Sequence, residues 1–506
     1  MAPKRSTSNT NAKKTKGGAN ARGRLSLPVL QLPAREQRYA CHGSGRCCRD
    51  FTVQLRDDDV AKLDAQGWAR RLGESPYLEF RGNRWLRQRD DGACIFLMDD
   101  GKCRVHAEHG FENKPLACQM FPFTLMPTPN GVQVGLSFAC PSVINNLGED
   151  LASHFADVKR FARSLPELHP EADARPSPIA VRGDVDAEPG EAEALARTLD
   201  EWMQRVDLPI ETRLDGGAWL TAMLREADLT KVRGDRFREL LDALVTVMPD
   251  EIAAAPPTGP TKRQRKLIRQ VAYAHAEDPK IGAIAERGVR GTALKQLMNN
   301  HRFGRGRGSV PIDLGPEWPD DLSFDGVDDI RPASDPDEIR WIDFLMLRYV
   351  RARVLGGRAW GAGYYGWPCV EGLEAMWAML AATGWLARLH ARAHHRDELR
   401  REDVQAALLR TDRNAGRAPW LGSQAERLRH KYLSMEQGIR RLRHAYRLAE
   451  EPDTDDAFDD EDHLDDDVGG AADSTITIVD VGEDDEPDDG DDARSRNGNR
   501  PPDLPG

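Results

Sequence analysis

Beyond residue 145 the apolar positions recur with helical spacing. Leu195, Leu199, Trp202 and Val206 form one stripe, and Phe237, Leu240, Leu241, Leu244 and Met248 form another. Residues 261–277 read as a basic helix following the Pro256-Pro257 and Gly259-Pro260 break. At Asp335-Pro336-Asp337-Glu338 an N-cap, a first-turn proline and dipole-matched acids open the next helix, with Ile339, Ile342, Met346, Tyr349 and Val350 on its apolar side. A long helix over 371–392 carries Trp377 and Trp385. The last one, 423–446, starts with a Ser423/Glu426 capping box. Its Leu428, Tyr432, Met435, Ile439, Leu442 and Tyr446 follow a four-three stride, the pattern of an internal bundle seam.

Upstream the period shortens to two. Phe51-Thr52-Val53-Gln54-Leu55 alternates as a strand, and Asp57-Asp58-Asp59 then opens a short helix. Residues 78–86 predict a hairpin turning at Gly82-Asn83, and Asn130-Gly131 marks a second one. After it, Val132, Val134, Leu136 and Phe138 alternate with Gln133, Gly135 and Ser137, and the strand delivers Cys140 to the end of the sheet. The expected fold is therefore α+β, a small cysteine-rich N-terminal module with hairpins followed by a mainly α-helical body. The chain divides into a basic leader (1–37), the cysteine module (38–145), a helical region with linkers (146–320, with a proline-rich connector at 170–190), a helical bundle (330–449) and an acidic tail (450–506).

Charge changes this picture at the ends only. The net charge of −12 conceals eight basic residues and no acid in 1–35, and 22 acids against three arginines in 451–506. Both tails are expected to be disordered, since such compositions cannot offset chain entropy. The island Thr475-Ile476-Thr477-Ile478-Val479 in the acidic tail could add to a partner's sheet edge or be inert. No apolar run reaches the roughly 20 residues of a membrane span, and no secretory signal opens the chain, so a cytoplasmic protein is expected. Nucleic-acid binding is not favoured. Lys262, Arg263, Arg265, Lys266 and Arg269 suit a solvated helix face, and Arg302, Arg305 and Arg307 among glycines suit a flexible connector.

The candidate chemistry lies in the module. Seven of the eight cysteines, Cys41, Cys47, Cys48, Cys94, Cys103, Cys118 and Cys140, fall within residues 41–140, and Cys369 stands alone. An odd number of thiols argues against a disulfide framework. Core packing would not explain the glycine-flanked Cys41-His42-Gly43-Ser44-Gly45-Arg46-Cys47-Cys48 string. Metal ligation fits best, and the Asp99-Asp100-Gly101-Lys102 turn would fold Cys94 and Cys103 toward one ion. Four thiolates suit either zinc or a cubane cluster. The remaining thiols, or His42, His106 and His109, would complete a second site or be bystanders.

The string 41–48, Cys94-Ile95-Phe96-Leu97, Cys103-Arg104-Val105-His106, Lys114-Pro115-Leu116-Ala117-Cys118 and Phe121-Pro122-Phe123 resemble the zinc- or iron-chelating CxxCxxCC (YkgJ-like) family. With Cys140-Pro141 after its strand, the segment 38–145 is similar to the flagellin lysine N-methylases within it. Ser44 stands where that family carries a cysteine, and Lys114 where it carries an arginine. The resemblance implies an iron–sulfur cluster and methyl transfer from S-adenosylmethionine to a protein lysine, with flagellin as the kind of partner. A non-enzymatic zinc module is the alternative. If a methyl donor binds, the glycine- and aromatic-rich stretch 360–367 is the candidate far wall, with Tyr364 and Tyr365 facing a sulfonium or simply filling gaps between helices. No dinucleotide fingerprint, serine triad or His-Glu-x-x-His helix is present.

Overall fold

The computed structural model describes residues 29–30, 37–128, 131–165 and 177–451. The expectations for the two tails, for the Thr475–Val479 island, for Asn130 and for the first part of the 170–190 connector lie outside the described residues. Small sheets near the N-terminus precede a helical body, the expected α+β arrangement. No helix among the described residues is long and apolar enough to cross a membrane.

Three small sheets build the N-terminal part. Strand β1 (Val29–Leu30) runs parallel to β7 (Gly131–Leu136), which pairs antiparallel with β6 (Phe123–Thr128). Strand β2 (Arg38–Tyr39) pairs with β8 (Glu149–Asp150). The third sheet has β5 (Asn83–Leu86) between β3 (Gln54–Leu55) and β4 (Tyr77–Phe80). The β4–β5 turn falls at Arg81-Gly82, both at positive φ, one residue before the expected Gly82-Asn83. Paired turn residues at positive φ match the twist of the flanking strands. Short helices α1 (Arg46–Asp50), α2 (Asp57–Ala65), α3 (Trp68–Leu72), α4 (Arg104–His109), α5 (Leu116–Met120) and α6 (Pro141–Ile144) lie between these strands, and α2 opens with the three expected aspartates.

Two cores divide this region. Leu55, Val60, Leu63, Trp68, Leu86, Cys94, Phe96 and Val105 form a small cluster of their own. The β6–β7 hairpin and the residues around Cys140 belong instead to the large cluster that continues into the body. At the centre of the body is a helix at Cys369–Ala393. It is buried on nearly every side, as an apolar-all-round sequence requires. Packed around it are Ile210–Glu226, Lys262–Ala276, Arg401–Asn414 and the C-terminal helices. The described part of the connector is irregular but anchored, since Cys369 and Val370 donate their amides to the Ala180 and Val181 carbonyls.

The C-terminal stripe departs from expectation. Residues 423–446 form two helices, Gln424–Ser434 and Gly438–Ala445, separated by Glu436 and Gln437 at positive φ. Leu428 and Met435 are consequently exposed, so no continuous seam exists. The break lets Ile439, Leu442 and Tyr446 enter the core while Arg440 and Arg443 pair with Asp215 and Glu211. Val206 also falls outside its stripe, because that helix ends at Met203 and leaves it exposed. Arg302 and Arg305 lie in the helix Val289–Arg305 rather than in a loop.

Candidate metal centre

Backbone hydrogen bonds draw the cysteine segments together. Cys94 N donates to Cys48 O at 2.6 Å, joining the end of the 41–48 string to the second cysteine element. The 99–102 turn closes through Met98 N to Lys102 O (2.9 Å) and Gly101 N to Met98 O (3.0 Å), and Leu97 faces Cys103 across an antiparallel bridge. This turn packs on the 41–48 loop so closely that a Cβ on Gly101, itself at φ +81°, would sit 2.2 Å from the Gly43 carbonyl oxygen. Only glycine fits there. The Phe96 amide donates to Cys94 Sγ at 3.5 Å, an interaction that stabilises a thiolate.

The thiols interact as a chain. The Cys47 thiol donates to Cys48, which with burial raises Cys47 well above the usual range. Cys48 is pulled down by that bond, but its own bond to Cys94 and its burial outweigh this and leave it raised. Burial pushes Cys118 up to about 12 and Cys140 to about 11, with the Lys114 ammonium opposing the shift at Cys118. Charge on Cys103 acts on Cys48 and Cys118, and charge on Cys41 acts on Cys140. All seven expected ligands thus fall in one neighbourhood, with Cys47 between the Cys41/Cys140 end and the rest. Cys369 is apart, buried at the start of its helix beside Glu193 and Glu371. His106 and His109 pack edge-on against Phe111 and Trp68, and His42 contacts Ala40 O and Ser142 Oγ.

Cys47, Cys48, Cys94, Cys103 and Cys118 line a cavity of about 780 Å³ between module and body. The body side is formed by Arg358, Gly363, Ala415, Gly416 and Arg417. Gly363 belongs to the expected 360–367 stretch, but Tyr364 and Tyr365 lie behind this wall. Tyr364 is buried, and the Tyr365 hydroxyl donates to the Asn414 and Ala418 carbonyls.

A set of cysteine thiols suits a soft cation, which would displace their protons on binding. Among the described residues no group of three or more His, Cys, Asp or Glu side chains stands ready-gathered around one point.

Residues 40–141 match the family model described as "CxxCxxCC: Putative zinc- or iron-chelating domain". This match supports metal binding by the cysteine module. The chain is also 29% identical over 90 residues to "Uncharacterized protein MJ0939" from Methanocaldococcus jannaschii, covering 17% of this chain and 30% of that protein. No solved structure matches the chain. The arginine side of the cavity carries no signal in the sequence. Arg358 and Arg417 lie far from the cysteines in the chain, and no local motif marks them.

Proposed function

We propose that the chelating module carries an iron–sulfur cluster, held by thiolates from among Cys47, Cys48, Cys94, Cys103 and Cys118, at the edge of a cavity where a small molecule meets it. The observation that carries this reading is that five thiols face one cavity of about 780 Å³ closed on its far side by the body. Structural zinc needs four ligands and seals the metal in, whereas these thiols outnumber four and border open volume. The volume is in the range of small-molecule sites, roughly 300–1,000 Å³. When bound, such a cluster supplies electron transfer or Lewis acidity. The chain's own part is to hold the cluster against the body, admit the ligand and exclude bulk water.

Structural zinc is the second reading. The Phe96 N–H to Cys94 Sγ bond and the eight-residue core of the module favour it, since so small a core gains from a metal staple. Methyl transfer to a flagellin-type lysine is not part of the proposal. A sulfonium donor and a lysine would bring positive charge to the wall holding Arg358 and Arg417.

Anaerobic purification tests the choice. Brown protein with broad visible absorption and matching iron and sulfide supports the cluster; colourless protein with stoichiometric zinc replaces it with the staple.

A further inference from the structure

The cavity's lining carries positive charge and no negative charge. No aspartate or glutamate lines it among the described residues, whereas Arg56, Arg87, Lys114, Arg358 and Arg417 do. Arg56 is paired with Asp59 and Arg87 with Glu74. Behind the body wall, Asp412 is fully buried. It meets Arg353 Nη1 at 3.2 Å and Arg358 Nη1 at 3.3 Å, and accepts from Ser137 Oγ, the Ala139 amide and the Tyr349 hydroxyl. Arg358 also donates to the carbonyls of Leu136 and Ala415.

Arg417 is the third guanidinium of this group and opens on the cavity. Its guanidinium lies 4.8 Å from the Phe51 ring, and no described carboxylate lies within ion-pair distance. One carboxylate thus faces three guanidiniums, Arg353 and Arg358 buried and Arg417 exposed, which leaves the group with excess positive charge on the cavity side. As a guanidinium, Arg417 stays protonated near neutral pH. Lys114, across the cavity beside Cys118, also has no described carboxylate partner and reaches over the Phe111 ring.

We propose that the cavity binds a small oxyanion-bearing molecule, a carboxylate or phosphate compound, with its anionic group held by Arg417 and Arg358 and the rest of it reaching toward the cysteine wall. Planar guanidiniums match both oxyanions. The apolar part of the ligand would rest on Phe51, Phe121 and Phe123. A rival role for these arginines is to offset the charge of the metal–thiolate centre. That role predicts metal loss when Arg417 is replaced, whereas the ligand role predicts that metal is kept. This inference deepens the metal-centre reading by naming what meets the metal, but its test is separable from it.

The test is calorimetric titration of the full-length protein as purified anaerobically, with inorganic phosphate and separately with succinate, alongside metal content. At low salt, saturable one-to-one binding of at least one probe is expected; phosphate preference identifies a phosphate compound and succinate preference a carboxylate. Arg417→Gln should weaken that binding by about tenfold or more while keeping its metal. Lys114→Gln, across the same cavity, serves as a second variant with a smaller expected loss. Binding of neither probe, unaltered binding by folded Arg417→Gln, or metal loss in Arg417→Gln would overturn the proposal. Metal-free protein that still binds phosphate through Arg417 would sink the cluster reading and leave this one standing.

Discussion

The helical body and the cysteine module solve the same problem with different means. In the body, the central helix Cys369–Ala393 is buried on almost every side, and Trp377 and Trp385 fill its contacts. Apolar burial there suffices to offset chain entropy. The module around Cys94 and Cys103 has only eight residues in its own core and devotes its loops to positioning thiols. The two parts should therefore respond to different insults, the body to cavities and the module to loss of metal.

Between them runs a polar seam. Buried Arg46 pairs with Asp50 and Glu317, and Arg413 meets Asp50 at 3.3 Å and Asp278 at 3.0 Å. Lys280 Nζ donates to the Arg49 carbonyl at 2.7 Å. Such pairs fix how the module sits on the body more than they add stability.

The largest effect should come from chelation. Stripping metal should cost the module several kcal/mol, because metal binding is part of its folding energy. Limited proteolysis should then cut within residues 41–120 while the body stays protected; equal loss of both would erase the distinction. Next, Asp50→Ala leaves Arg46 and Arg413 short of a shared carboxylate in the interior and should cost about 3–5 kcal/mol. If the seam couples the two parts, thermal unfolding of this variant splits into two transitions. Leu373→Ala, in the central helix, should cost about 2–5 kcal/mol without changing metal content. Denaturant titration with metal analysis checks both halves of that statement.

These expectations mix what the sequence discloses with what it hides. The Cys94–Cys103 turn was legible because Asp-Asp-Gly-Lys is local chemistry, and Asp335 caps its helix as its sequence requires. The break at Glu436 was not, because the stride of Leu428, Met435 and Ile439 is satisfied on paper by an unbroken helix. Only the distant partners Asp215 and Glu211 decide where Arg440 and Arg443 go. The guanidinium group around Asp412 was hidden for the same reason, since Ser137, Arg353, Arg358 and Arg417 meet only in the fold. Cysteine identity marked the candidate ligands; nothing in residues 360–367 signalled that Tyr364 and Tyr365 would turn away from the cavity that Gly363 borders.

Acid should act on the body through two histidines. Burial lowers His275 to about 4, with Arg353 adding to it and the Thr411 carbonyl and Asp412 opposing; burial also lowers His430 to about 3, with His275 and Arg429 adding. Both are neutral in the fold and bind protons more readily when unfolded. Their contribution is therefore complete above about pH 6.5 and is lost as pH falls toward 4, by up to about 1.4 kcal/mol per pH unit for each. Stability measured from pH 7.5 to 5 should fall, and His430→Gln should flatten that slope; an unchanged slope contradicts the assignment. The smallest effect is expected at Thr261, whose side chain accepts from Gln264 N to cap Lys262–Ala276. Thr261→Ala should cost about 1 kcal/mol in thermal unfolding and leave the module untouched.

The central claim is that thiols of the module, and not the body's lone cysteine, hold a metal. Metal content per chain, measured on anaerobically purified wild type, Cys118→Ser and Cys369→Ser, tests it most directly. The account predicts equal stoichiometric metal in wild type and Cys369→Ser and its loss in Cys118→Ser. Metal-free wild type, or metal retained by Cys118→Ser and lost from Cys369→Ser, would contradict it.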